Sequence, residues 1–307
     1  MSKKECEKDT LGNRMKAYES LSTTRQLMPN CPVYARIDGR AFHTLCRGLE
    51  KPFSREFIVA MQETCKYLVQ ETHAVLGYVQ SDEISLGWAD YTHAPFDGRV
   101  QKLESVLASM ASVKFLHWIG VCHSVSLRES VLWQRVLTHL PAFDCRVYNV
   151  PTMTELANNF LWRENDAIKN SISGMARVFY SDRELQGKNS DEQIHMMRMK
   201  GYCFFEETPP SFLRGSFWRR ETFRKRLTKE EVGRIPERQR ANLDHEVVRD
   251  ATGQVLEECF SCVRSRIAEV ELPWRLTDTK DIEEVLFRGG KPECNKENPT
   301  FVLTTKK

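Results

Sequence analysis

The sequence predicts an α+β fold: a ferredoxin-like antiparallel sheet in the order βαββαβ, with helices on one face and an extension at the C-terminal end. Three observations carry this. A period of two runs through Val33-Tyr-Ala-Arg-Ile37 and returns beside a polar tip at Ser81-Asp82-Glu83. Two apolar stripes at helical spacing lie on either side of that hairpin. A further strand-like run at 142–150 closes the unit before a long helix.

In the first strand Val33, Ala35 and Ile37 share one face, and Tyr34, Arg36 and Asp38 the other, because successive side chains alternate. It ends in Asp38-Gly39-Arg40, where Gly39 permits a turn or a close backbone approach. A helix over about 54–72 follows, with Ser54 as N-cap and Phe57, Met61, Thr64 and Leu68 on its buried stripe. The hairpin spans 77–88, with Ile84, Leu86 and Trp88 alternating. Val100, Leu103, Leu107, Met110 and Val113 mark the second helix, and Asp97 ahead of it reads as an N-cap. Thr152-Met-Thr-Glu155 is a capping-box pattern opening a helix that runs to about Tyr180.

With 41% hydrophobic and 28% charged residues, the 307-residue chain has material for a sizeable core and is not disordered throughout. The run from Val113 to Cys122 carries Lys114 and His117, so no uninterrupted apolar stretch spans a bilayer. A polar start and ten cysteines point to reduced thiols in the cytoplasm. Cys259-x-x-Cys262 with His245 offers fewer ligands than structural zinc takes and reads as ordinary thiols. The ends, 1–12 and beyond Gly290, read as loose. Between Arg214 and Arg240 ten Lys and Arg face four Glu, a net +6 against +3 for the whole chain, which suggests a polyanionic partner.

Asp38 and the pair Asp82-Glu83 stand at polar strand ends that the inferred sheet makes neighbours. Carboxylates brought together repel unless cations neutralise them, and hard oxygen ligands suit Mg²⁺. Two such ions can support in-line displacement at phosphorus. Asp-Gly and Ser-Asp are equally ordinary turn chemistry, so spacing alone leaves both readings open.

The motifs Arg36-Ile-Asp-Gly-Arg-Ala-Phe-His43, Lys51-Pro52 and Tyr78-Val-Gln-Ser-Asp-Glu83 resemble, in order, the signature of the tRNA-His guanylyltransferase superfamily. The likeness continues through Phe143-Asp-Cys-Arg146, Trp162-Arg-Glu-Asn-Asp-Ala-Ile-Lys-Asn-Ser171 and Leu185-Gln-Gly-Lys188, and is weaker beyond Arg220, where Glu284-Val-Leu-Phe287 continues it. It implies a polymerase palm that adds nucleotides to the 5′ end of tRNA in the 3′-to-5′ direction, with two Mg²⁺ ions and GTP or ATP as substrate. Asp38, Asp82 and the Gly39 carbonyl would hold metal, and Glu83 would be an acidic neighbour needed for activity. Asp38, Gly39, Arg40, Ala41, Phe42, His43, Lys51, Ser81 and Asp82 would hold the triphosphate. Arg99, Lys102, Asp166, Lys169, Asn170 and Lys188 would contact RNA, with the basic segment and its interleaved Phe217, Trp218 and Phe223 as further candidates. Gly215-Ser-Phe-Trp-Arg-Arg also reads as a strand whose aromatics are core.

Where enzymes devoted to tRNA-His carry His-Ile-Asn-Asn, this chain has Asp166-Ala-Ile-Lys-Asn-Ser171, which resembles the guanylyltransferase-like relatives that repair 5′-truncated tRNAs. After Lys51-Pro52 the family's usual Asn-Asp is replaced by Phe53-Ser54. The resemblance divides the chain into a palm at 10–150, a helical remainder of the catalytic and RNA-binding region at 151–220, and a basic extension at 221–307. It implies a homo-oligomer, a tetramer built as a dimer of dimers, with no membrane partner. A nucleotidyl cyclase or forward polymerase on the same palm, and a non-catalytic RNA-binding protein, are the alternatives.

Overall fold

The structure, a computed structural model, describes residues 10–23, 25–52, 54–89, 95–125, 130–240, 243–249, 254–270 and 287. In chain order come α1 (Thr10–Thr23), β1 (Val33–Gly39), α2 (Phe42–Leu45), α3 (Arg55–Thr72), β2 (Leu76–Gln80), β3 (Glu83–Trp88), α4 (Val100–Val125), α5 (Val131–Thr138), β4 (Phe143–Asn149) and α6 (Met153–Phe179). Four short helices follow, α7 (Asp182–Leu185), α8 (Ser190–Met199), α9 (Phe204–Glu207) and α10 (Pro210–Leu213). The chain continues with β5 (Ser216–Leu227), α11 (Lys229–Arg234), α12 (Glu237–Arg240), β6 (Asp244–Arg249) and β7 (Val255–Glu269).

The strands form one antiparallel sheet in the order β4-β1-β3-β2-β5-β7-β6, and its first four strands are the expected βαββαβ unit. Period-two burial sorts β1 as read from sequence. Val33, Ala35 and Ile37 pack under α3 and α4, while Tyr34 joins Tyr78, Phe217 and the α6 residues Leu156 and Phe160 on the other face. The expectation of helices on one face of the βαββαβ unit therefore holds for α3 and α4, and α6, which follows the unit, covers the opposite face. The N-cap expectations hold at Ser54, whose hydroxyl accepts from the Phe57 amide, and at Thr152, which accepts from the Glu155 amide, while the Glu155 carboxylate accepts from Asn158 at 3.0 Å instead of completing the capping box. Each such cap is worth about 1 kcal/mol.

Other local readings are corrected. The buried stripe of α4 is Val100, Leu103, Leu107, Ala111, Phe115 and Ile119; Met110 is half-buried and Val113 is 69% exposed. The spacing from Leu107 to Ala111 and Phe115 is four residues throughout, and a small alanine hid that register in the sequence. Among the described residues α4 is the one helix long and apolar enough to cross a bilayer. Here it lies on β4, where Ser112 and Glu104 accept from the Phe143 and Val147 amides. Asp97 is not the cap residue: the Leu103 amide bonds the Arg99 carbonyl, and Asp97 sits at φ 56° in a turn three residues before Val100, with Arg99 4.0 Å away. Residues 10–12 open α1 instead of fraying, while 1–9 and everything beyond Phe287 lie outside the described residues.

Of the motif at Glu284-Val-Leu-Phe287, only Phe287 is described, and its ring meets Phe160 at 6.3 Å. Phe217 and Trp218 are core, 2% and 9% exposed, whereas Phe223 is 40% exposed. Cys259 and Cys262 stand three apart on β7, so their side chains leave opposite faces and cannot converge, and His245 stacks on Phe260 at 4.4 Å. Among the described residues no cysteine forms a disulfide. The boundary at 220 falls inside β5, so the basic extension begins by continuing the palm sheet as a long ribbon.

Candidate active site

The sheet register does what strand order alone required. Asp38 at the end of β1 is the Cα partner of Glu83 on β3 and of Asp144 on β4. The Gly39 amide donates to the Asp82 carbonyl at 2.9 Å, which ties the first strand to the hairpin tip. Asp38 and Asp82 open onto a cleft of about 740 Å³, also lined by Cys46, Lys51, Gln80, Ser81, Glu83 and, from α6, Arg163, Asn170 and Arg177. That volume suits a drug- or nucleotide-sized ligand.

Electrostatics follow from this geometry. Burial first, then Asp82 and Asp144, raise the Asp38 carboxyl above its ordinary value, with Arg36 and Arg163 opposing. Ser81, held at φ 50°, donates to Asp82 at 3.1 Å. Burial, then the Asp82 charge, pushes the Cys46 thiol up to about 12. Glu83 takes a different course. Its two oxygens accept from Arg163 Nε at 2.6 Å and Nη2 at 2.8 Å, a forked pair between β3 and α6. Burial dominates over that pair and raises the Glu83 carboxyl.

Among the described residues no three His, Cys, Asp or Glu side chains converge as a metal cluster, and Glu83 is engaged by Arg163. What remains, the carboxylates of Asp38 and Asp82 with Asp144 across the register from Asp38, is still a hard-oxygen donor set. Mg²⁺ takes few protein ligands and completes its shell with water and phosphate, so the residues fit that ion arriving with a triphosphate.

The loop after Asp38 is built by packing. A Cβ on Gly39 would meet the Phe42 ring at 2.5 Å, so only glycine lets Phe42 fold back. Phe42 is 2% exposed against Phe57, Phe115 and Phe143. Its ring is therefore part of the core, and the Phe42 contribution to the loop at the site is its backbone. Arg40, Ala41 and His43 are exposed on the same loop, outside the cleft lining. Lys51 and Ser81 line the cleft as expected; Phe53 lies outside the described residues, while its neighbour Ser54 caps α3.

The RNA candidates separate. Asn170 lines the cleft, Lys169 is exposed beside it, and Asp166 accepts from Arg163 at 3.1 Å, an internal anchor. Lys188 pairs with Glu192 at 3.2 Å beyond the end of α6. Arg99 and Lys102 open α4 at the other end of the sheet, roughly 20 Å from Asp38 by the length of β1. Sequence reasoning gave no role to Asp144 or Arg163. Asp144 repeats the signal of Asp38, a carboxylate at a strand end, but Arg163 had no local sign of a partner 80 residues away.

A palm-like sheet carrying two carboxylates at a nucleotide-sized cleft defines a class, the nucleotidyltransferases. The comparisons narrow it. Residues 12–151 match the sequence profile described as tRNAHis guanylyltransferase. A bacterial tRNA(His) guanylyltransferase-like protein solved in complex with ATP is 36% identical, with a TM-score of 0.60 over 68% of this chain and 88% of that one. Such a bacterial protein in complex with GTP is 33% identical, with a TM-score of 0.54 over 69% of this chain and 86% of that one. The tRNA(His) guanylyltransferase of Schizosaccharomyces pombe is 27% identical over 67% of this chain and 79% of its own length. The chain belongs to the tRNA-His guanylyltransferase family.

Proposed function

We propose that this protein adds nucleotides to the 5′ end of a tRNA in the 3′-to-5′ direction, with GTP or ATP as substrate. The observation that carries the reading is the meeting of Asp38 and Asp82 at the mouth of the cleft that Lys51 also lines, in a family whose relatives were solved with ATP and GTP. In this reading Asp38, Asp82 and the Gly39 carbonyl would hold two Mg²⁺ ions, which would supply positive charge to acidify a hydroxyl and neutralise phosphates. Lys51 places a point charge on the triphosphate. Arg163 holds Glu83 and fixes the α6 wall, a positioning role.

The 3′-hydroxyl of the incoming nucleotide attacks the α-phosphorus of a 5′-triphosphate end. The new O–P bond forms, the bond to the β-phosphate breaks, pyrophosphate leaves and the hydroxyl proton passes to solvent. A 5′-monophosphate end first accepts an adenylyl group from ATP with loss of pyrophosphate, and the same attack then expels AMP. Arg99, Lys102, Lys169, Lys188 and the basic ribbon supply phosphate contacts along the tRNA, so binding weakens steeply with salt. A homotetramer belongs to the same reading, and the exposed apolar residues Val113, Val121, Leu137 and Leu140 offer it a surface.

The test uses purified protein, Mg²⁺, labelled triphosphates and tRNA lacking its first nucleotide, in 5′-monophosphate and 5′-triphosphate forms. Label gained at the 5′ end and lost in Asp82→Ala is expected. Absence of label with both RNAs, or full activity in Asp38→Ala, overturns the assignment.

A further inference from the structure

Trp162 lies on α6 next to Arg163, is 51% exposed, and does not line the cleft. Its indole is fixed all the same. The Arg163 guanidinium stands 4.7 Å from the ring centroid and the Arg36 guanidinium 5.7 Å. Arg163 is itself locked by its fork on Glu83, so the ring is held in place at the edge of the carboxylate site.

Arg36 and Asp38 are alternate residues on one face of β1, roughly 7 Å apart. Their neighbours across the register on β4 are Arg146 and Asp144, both exposed. The cleft approaches Asp38 from the hairpin and α3 side. Trp162, Arg36 and Arg146 approach it from the β4 side. Two substrates must meet at Asp38 if a nucleotide is joined to an RNA end, and the molecule offers two approaches. One is the cleft. The other is an open strip of one aromatic ring and two guanidiniums, with Asp144 as the opposing charge that Arg146 meets at 3.8 Å.

We infer that Trp162 is the stacking platform for the 5′-terminal base of the acceptor RNA, with Arg36 and Arg146 guiding the terminal phosphate toward Asp38. The inference rests on the nucleotidyl transfer to RNA proposed above. Stacking on an aromatic ring is tolerant of base identity, because every base has a π face. A base seated on the indole leaves its 5′ phosphate to span the interval from Arg36 to Asp38. The triphosphate in the cleft makes no use of Trp162.

The experiment measures KM for a 5′-triphosphate tRNA lacking its first nucleotide, and for the same RNA with an abasic 5′-terminal residue. Nucleotide binding is measured separately. Trp162→Ala is expected to raise KM for the intact RNA by about 5- to 150-fold, the worth of one stacked base. Nucleotide affinity stays unchanged and Trp162→Phe recovers most of the loss. On abasic RNA, wild type and Trp162→Ala become equal. A loss of the same size on abasic RNA overturns the stacking role, and so does an unchanged KM on intact RNA. Wild-type protein that transfers to no RNA overturns instead the function on which the inference rests.

Discussion

Arg163 and Glu164 are consecutive on α6, and each completes an ion pair with a distant part of the chain. Arg163 faces the cleft and forks onto Glu83, both side chains 13–14% exposed. Glu164 turns about 100° away into the core and meets Arg214 at the entry to β5, with Nε to Oε1 at 2.7 Å and exposures of 0% and 8%. The first pair holds α6 to the carboxylates at the cleft; the second holds α6 to the sheet. Charges in the core are there for assembly, and breaking them costs fold. Charges at the cleft wall are there for geometry, and breaking them costs turnover first.

That contrast can be broken in order of size. Arg214→Met strands a buried carboxylate, and urea unfolding should show a loss of about 3–5 kcal/mol. Arg163→Met should cost less, about 1.5–3 kcal/mol, because Glu83 can take up water from the cleft. Yet turnover should fall at least about tenfold, as the freed Glu83 charge adds to Asp38 and Asp82. Replacing both partners, Glu83→Gln with Arg163→Met, should recover most of the stability and little of the turnover. If Arg163→Met proves the larger stability loss, the division of labour is wrong.

The loop side of the site relies on packing, so Gly39→Ala should cost about 1–3 kcal/mol by driving into the Phe42 ring, read as a drop in Tm together with lost turnover. The smallest effect belongs to the ribbon. Arg224 and Asp244, 3.4 Å apart and 58% and 48% exposed, form a surface pair. Arg224→Gln should change stability by no more than about 1 kcal/mol while flattening the salt dependence of RNA binding.

Local signals were legible where one element carried them whole. The alternation of β1, the caps at Ser54 and Thr152 and the turn at Ser81-Asp82 are written in a few adjacent residues each. The candidate carboxylates Asp38 and Asp82 could be named for the same reason. What failed depended on neighbours from elsewhere: the α4 stripe, whose register the sheet chooses, and Asp97, held in a turn at positive φ. Asp144 joins the site only because β4 lies beside β1.

The sequence alone determined the strand and helix order, the positions of the turns, and motifs specific enough to point to a family. These depend on periodicity, capping and glycine freedom, which act over a few residues. Only the tertiary structure decided that α6 covers the second face of the sheet, that Arg163 engages Glu83, and that β5 extends the palm. Those are pairings between groups tens of residues apart, and burial, charge and register settle them only when the whole sheet has formed.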